Sequence, residues 1–184
     1  MKTLPILIIA LVTSVANGQT QYLSPEMMEA AKKVHDAFEQ NLKGWKRIDV
    51  QPFGNESNII VENWALGDRR ARVSVALMRA GVNNDEWLAD FLKRDTRAKR
   101  LEGIGDAAAV WGYADSTVTF HSGRFNVSVN GTADFRLWGP TVSQSSELNR
   151  SESAATARLI ACFLNMALNG DLQPRKHGPG NPTN

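Results

Sequence analysis

The sequence predicts an α+β fold: an antiparallel sheet from two three-strand meanders with three packing helices, in the order helix, three strands, helix, three strands, helix. Three observations predict it. Apolar residues recur at helical spacing in three segments. Six other segments alternate apolar and polar residues, as half-buried strands do. Short Gly, Asn, Asp or Ser turns separate most neighbouring strands, and connections that short join strands antiparallel. Strands segregated from helices in this way place the helices on one face of the sheet, or on both. The two halves share element order but no sequence repeat.

Each element has its own justification. Ser24-Pro25-Glu26 opens the first helix with a capping serine, a proline in the first turn and an acid at the positive end of the dipole. Met27, Ala31, Val34, Phe38 and Leu42 form its apolar stripe, His35 lies on its polar side, and Gly44 stops it. Three strands follow. They run from Lys46 to Phe53, from Asn58 to Leu66 and from Arg70 to Met78, the last with Ala71, Val73, Val75 and Leu77 on one face. Asn83 and Asn84 cap a second helix that runs to about Arg94, with Trp87, Leu88, Phe91 and Leu92 as its apolar side. A basic stretch from Lys93 to Arg100 ends it, and Gly103-Ile104-Gly105-Asp106 breaks the chain. The second strand set covers Ala107 to Tyr113, Ser116 to His121 and Arg124 to Asn130, with Ser122-Gly123 as a tight turn. After the polar segment from Gly131 to Arg150, a last helix runs from Ser151 to Leu168. Its stripe of Ala155, Leu159, Phe163 and Met166 is expected inward, and Asn169-Gly170 stops it.

The first residues set the expected compartment. Lys2 precedes an apolar run from Leu4 to Val12, and Ser14-Val15-Ala16 supplies the small-x-small pattern of a cleavage site. That run is well short of the ~18–20 apolar residues that cross a bilayer, so no transmembrane segment is expected after cleavage. Residues 1–18 therefore read as a signal peptide, 19–170 as a single α+β domain and 171–184 as a disordered tail rich in proline and glycine. The mature protein is expected to be periplasmic or secreted.

Composition narrows the partners. The 184 residues hold 21 Lys and Arg against 19 Asp and Glu, a net charge of +2. Nucleic acid, which needs a marked basic excess or a dense patch, is not an expected partner. Cys162 is the sole cysteine, so no disulfide can close within the chain, and as a free thiol it is expected buried in the last helix. Asn55, Asn126, Asn130 and Asn149 each begin a sequon, a site for glycosylation in a eukaryotic secretory pathway and a chance match in a bacterial one.

The Gly-x-Gly-Asp-x-Ala string at Gly103 to Ala108, followed by the strand pair from Ser116 to Val129 and the alanine-rich helix from Ala154 to Leu168, resembles sensor-like extracytoplasmic domains of bacterial kinases and related secreted proteins of unknown function. The resemblance implies a non-catalytic extracytoplasmic domain. It brings no catalytic residues.

The candidate residues follow from chemistry. Asp106 leaves the glycine turn, where its carboxylate can contact a ligand or bond nearby backbone N–H groups. The structural reading is the stronger, because one carboxylate without companions makes a poor cation site. Gly103 and Gly105 supply the turn's unusual dihedrals. They cradle no phosphate, since a strand and not a helix follows them. Lys93, Arg94, Arg97, Lys99 and Arg100 form a cationic cluster that could meet lipid head groups, a polysaccharide or an acidic protein, extended by Arg69, Arg70 and Arg72 if the fold gathers them. Its bland reading is a solvated helix end diluted by Asp95 and Glu102. Among the five tryptophans, Trp138 before Gly139-Pro140 is the one expected exposed, as a contact for a ligand or partner. Histidine and cysteine spacing gives no metal site, and no cofactor is implied.

The reading is thus an exported, non-catalytic module that binds an unidentified protein or small ligand. Two alternatives stand beside it: a small hydrolase using His121 with Asp106 or Asp115, and an envelope-surface protein holding anionic groups through Lys93 to Arg100. His121 beside Ser122 is no nucleophile–base pair by itself, because that geometry comes from the fold.

Overall fold

The computed structural model describes residues 23–52, 58–132 and 147–172. The expected signal segment, residues 173–184 of the expected tail, Trp138, Asn55 and the side chain of Asn149 lie outside that description. Helix α1 (Pro25–Asn41) starts where its cap signal says: the Met27 N–H donates to Ser24 Oγ at 3.3 Å, and Met27, Ala30, Val34, Ala37 and Phe38 are buried.

Seven strands form one antiparallel sheet, and both expected meanders are present in it. The first is β1 (Lys46–Pro52), β2 (Ile59–Leu66) and β3 (Arg69–Leu77). The second is β5 (Ala107–Trp111), β6 (Thr117–Ser122) and β7 (Phe125–Thr132). The order β1-β2-β3-β7-β6-β5-β4 joins them through β3 and β7, where Val73 opposes Val129 and Val75 opposes Val127. The edge strand β4 (Lys99–Arg100) corrects the sequence reading. Helix α2 (Asn84–Arg94) already ends at its cap, Asp95, so Lys99 and Arg100 belong to the sheet and not to the helix end.

Alternation gives the sheet two different faces. On one, Ile60, Trp64, Ala71, Val73, Val75, Ala108, Val110, Val118, Phe120, Val127 and Val129 meet α1 and α3 (Glu147–Asn169) in the main core. Each of the larger side chains buried there contributes about 1.5–3 kcal/mol. The other face is polar along β6 and β7, with Thr117, Thr119 and His121 opposite Asn130, Ser128 and Asn126. Helix α2 covers its β5 end: Leu88 is buried against Ala107 and Ala109, with Trp87, Phe91 and Leu92 packed around them. Helices therefore lie on both faces. Among the described residues no helix is long and apolar enough to cross a membrane.

Helix α3 corrects two expectations. Its buried side is Ala157, Ile160, Ala161, Leu164, Ala167 and Leu168; Leu159 is 53% exposed and Ala155 is also exposed, while Phe163 and Met166 are half-buried. The reason is close packing on β7. A Cβ on Gly131 would sit 2.6 Å from the Ser153 carbonyl oxygen and 2.9 Å from the Ala157 nitrogen, so the helix rides on the strand with almost no gap. Only a side chain as small as that of Ala157 fits at this contact. Ala155 and Leu159 turn outward, and Cys162, one turn beyond Leu159, is exposed with them.

Candidate functional site

The glycine turn that the sequence singles out is a structural lock. Gly103 and Gly105 both have positive φ, +79° and +60°, and the turn they make brings Asp106 beside the β6–β7 turn. There the Asp106 N–H donates to the His121 carbonyl at 2.8 Å. Its Oδ2 accepts from the Gly123 N–H at 2.9 Å, one strand pair away. Asp106 thus does what the structural reading assigns it, capping a backbone donor.

His121, the catalytic candidate, is fully buried on the polar face beneath α2. Its Nδ1 lies 2.7 Å from Asn84 Oδ1, Trp87 lies over its ring with centroids 3.9 Å apart, and Nε2 has no hydrogen-bond partner. Burial pushes its pKa below the usual 6.5, and the nearby Asp106 charge offsets this only in part. Asp115 is engaged elsewhere, pairing with Lys99 Nζ at 3.0 Å. The side-chain hydrogen bonds of His121, Asp106 and Asp115 therefore go to three separate partners, Asn84, Gly123 and Lys99.

The cationic cluster is spread out, and three of its five members pair with nearby aspartates. Arg97 lies 3.6 Å from Asp95, Lys99 bonds Asp115, and Arg100 lies 3.6 Å from Asp85. Arg94 Nε donates to the Asp90 carbonyl, and Lys93 is exposed on the last turn of α2. Arg69 is far along the sheet, 3.6 Å from Glu152 of α3.

Two clefts flank the β6–β7 turn. One, of about 270 Å³, opens between the first turn of α2 and the glycine turn, lined by Asp85, Leu88 and the segment from Arg100 to Ala108. The other, of about 260 Å³, lies between the start of α1, the β6–β7 turn and the end of α3. Ala30, Leu77, Phe125 and Leu168 give it an apolar floor, and Glu26, Glu29, Lys33 and Arg124 give it a rim of both charges. Arg124 Nη1 meets Glu26 Oε1 at 2.6 Å; Lys33 Nζ meets Glu29 Oε1 at 3.1 Å and the Leu168 carbonyl at 3.3 Å. Ser122 Oγ donates to Asn169 Oδ1 at 2.8 Å in the wall. His121 lines neither cleft. Nothing local in the sequence marks the rim, because its charges come from one helix and one distant turn.

A charge cluster around one buried carboxylate carries no mark in the local sequence motifs. Glu62, 2% exposed, faces the core between Ile60 and Trp64. Its Oε2 accepts from Trp64 Nε1 at 3.1 Å, while Oε1 lies 3.2 Å from His35 Nε2 and 3.6 Å from Arg47 Nη1. Arg47 also meets His35 Nε2. His35 is therefore not a solvated residue of the polar side of α1 but half-buried, edge-on to Trp64 at 5.5 Å. The available signal was the alternation of β2, which puts a carboxylate on the same face as Ile60 and Trp64.

Among the described residues no group of three His, Cys, Asp or Glu side chains is placed to hold a metal ion. No protein-family model, curated protein or solved structure matches the chain.

Proposed function

We propose that this is an exported, non-catalytic binding or interaction module whose binding place is the cleft between α1 and the β6–β7 turn. One observation carries the reading. The cleft sets cations and carboxylates of half-exposed pairs around an apolar floor, whereas the histidine suited to catalysis is sealed away from it. Exposed ion pairs contribute only about 0–1 kcal/mol, so the charges of an incoming group can replace them with little loss. At about 260 Å³ the space falls just below the ~300–1,000 Å³ of drug-sized pockets. It suits a small zwitterionic ligand or one charged side chain of a partner protein.

A general base must reach the proton that it takes, and a substrate has no described route to His121 through either cleft. That weighs against the hydrolase alternative. Local pairing of Arg97, Lys99 and Arg100 weighs against an anionic-surface role.

The test is native mass spectrometry of the protein purified gently from the compartment to which it is exported. The expected result is a chain beginning near Asn17 or Gln19 that carries extra noncovalent mass, lost in Arg124→Glu. A mass beginning at Met1 would overturn export. Extra mass that survives Arg124→Glu would remove the binding place from this cleft.

A further inference from the structure

We infer that α2 is an acid-released lid, held shut by neutral His121 and freed from the polar sheet face when that imidazole is protonated. The inference goes beyond the proposed binding cleft and does not depend on it.

The latch is made by the first turn of α2. Asn84 supplies the amide oxygen 2.7 Å from Nδ1, and Trp87 supplies the ring lying 3.9 Å over the imidazole. Elsewhere the helix is held by Leu88, its one fully buried side chain, over the small Ala107 and Ala109, with Leu92 beside them and Phe91 edge-on to Trp111 at 5.8 Å. An amide oxygen facing Nδ1 means that Nδ1 carries the hydrogen and donates it. Nε2 then holds only a lone pair, and it is buried without a partner. Leaving an acceptor unused is tolerable. A proton added at Nε2 would instead create a buried charged N–H with nothing to receive it, which is far more unfavourable.

The groups facing the ring decide the direction. From α2 come the neutral Asn84 and Trp87, together with the positive end of the helix dipole, which disfavours a cation. The first turn also carries Asp85 and Glu86, with Asp85 turned to solvent towards Arg100. The neighbouring strands place Ala107 and Asn126 opposite His121. Asp106 is the one acid whose charge favours protonation, and burial outweighs it, so the pKa falls below 6.5. An undocked α2 restores water to the ring and with it the ordinary pKa. The docked state therefore binds the proton less readily than the open state. Its full advantage holds above 6.5 and is lost as pH falls through the lowered value. Opening bares His121 on β6.

Hydrogen exchange of the whole protein, corrected for intrinsic rates, tests this between about pH 7.5 and about pH 5. Amides of α2 are expected to lose protection by up to tenfold per pH unit below 6.5, the limit for one proton, while α1 and α3 keep theirs. His121→Phe keeps a ring against Trp87 and should abolish the response; Asp85→Asn should leave it in place. Equal protection of α2 at both pH values, equal loss in all three helices, or an unchanged response in His121→Phe would each overturn the proposal. If His121→Phe does not fold, the ring titration of His121 followed by NMR in the wild type decides. A midpoint shared with α2 opening supports the lid, and a separate midpoint sinks it.

Discussion

A Cβ placed on Gly105 would lie 2.0 Å from the carbonyl oxygen of His121. The obstacle is strand backbone, which no rotamer change can move, and the same carbonyl accepts the Asp106 N–H. Gly105→Ala must therefore lift the turn off β6 and weaken both bonds made by Asp106. Positive φ costs about 1–2 kcal/mol for alanine, and displacing packed backbone a further ~1–3 kcal/mol. Gly103 has a similar φ but open space around it, so Gly103→Ala should lose only about 1 kcal/mol. Urea denaturation of both variants measures the difference. Equal losses would mean that the close approach to His121 contributes nothing.

Glu62 predicts a different pattern. Its carboxylate is buried with Trp64 Nε1 on one oxygen and His35 and Arg47 near the other. Glu62→Ala removes the acceptor of a buried indole N–H and leaves two cationic or basic groups without their counter-charge, for a loss of about 3 kcal/mol. Glu62→Gln keeps an oxygen for Trp64 and should lose about half as much. Because Arg47 and His35 are partly solvated, Arg47→Ala should lose under about 1 kcal/mol. A larger drop in Tm for Arg47→Ala than for Glu62→Ala would contradict this division of roles.

Most of the fold was legible because its signals are local. Caps at Ser24 and Asn83, the alternation in β3 and β7 and the turns between strands all sit within a few residues of one another. The joining of β3 to β7 was not legible, since a central strand pair far apart in sequence leaves no mark beyond suitable alternation. The phase of α3 was misread for a related reason: the helix is apolar on two sides, and the side that docks is chosen by Gly131 of a distant strand. Asp106 was legible as a turn residue, whereas the cleft of Glu26, Lys33 and Arg124 exists only after α1 meets the β6–β7 turn. Glu62 was within reach, as one charge in the apolar rhythm of β2.

The β5–β6 connection carries local strain that a single change should relieve. Ala114 has φ 55° and ψ 36°, Asp115 has φ 58°, and the Ser116 N–H bonds the Tyr113 carbonyl at 3.2 Å. Two left-handed central residues are the mark of a type I′ hairpin turn, which favours Asn and Gly. Aspartate tolerates that conformation; alanine does not. Ala114→Gly is expected to stabilise the protein by about 1 kcal/mol, seen as a rise in Tm of about 2–4 °C in calorimetry. An unchanged or lower Tm would show that the turn is not held in this conformation.

Cys162 gives the most direct check on how α3 is seated. With Ala157, Ile160, Ala161 and Leu164 against the sheet, the thiol faces solvent beside Leu159. An aromatic disulfide reagent should then label the native protein as fast as the urea-unfolded chain. Were the helix rotated to bury Ala155, Leu159, Phe163 and Met166, labelling would wait for unfolding and slow by orders of magnitude. Cys162→Ser supplies an independent reading. An exposed site should change stability by no more than about 0.5 kcal/mol, whereas a hydroxyl at a buried position would lose about 1–3 kcal/mol. Fast labelling together with a neutral serine variant fixes the docked side as that of Ala157, Ile160, Ala161 and Leu164. That leaves Leu159, at 53% exposure, on the outer surface of the helix layer.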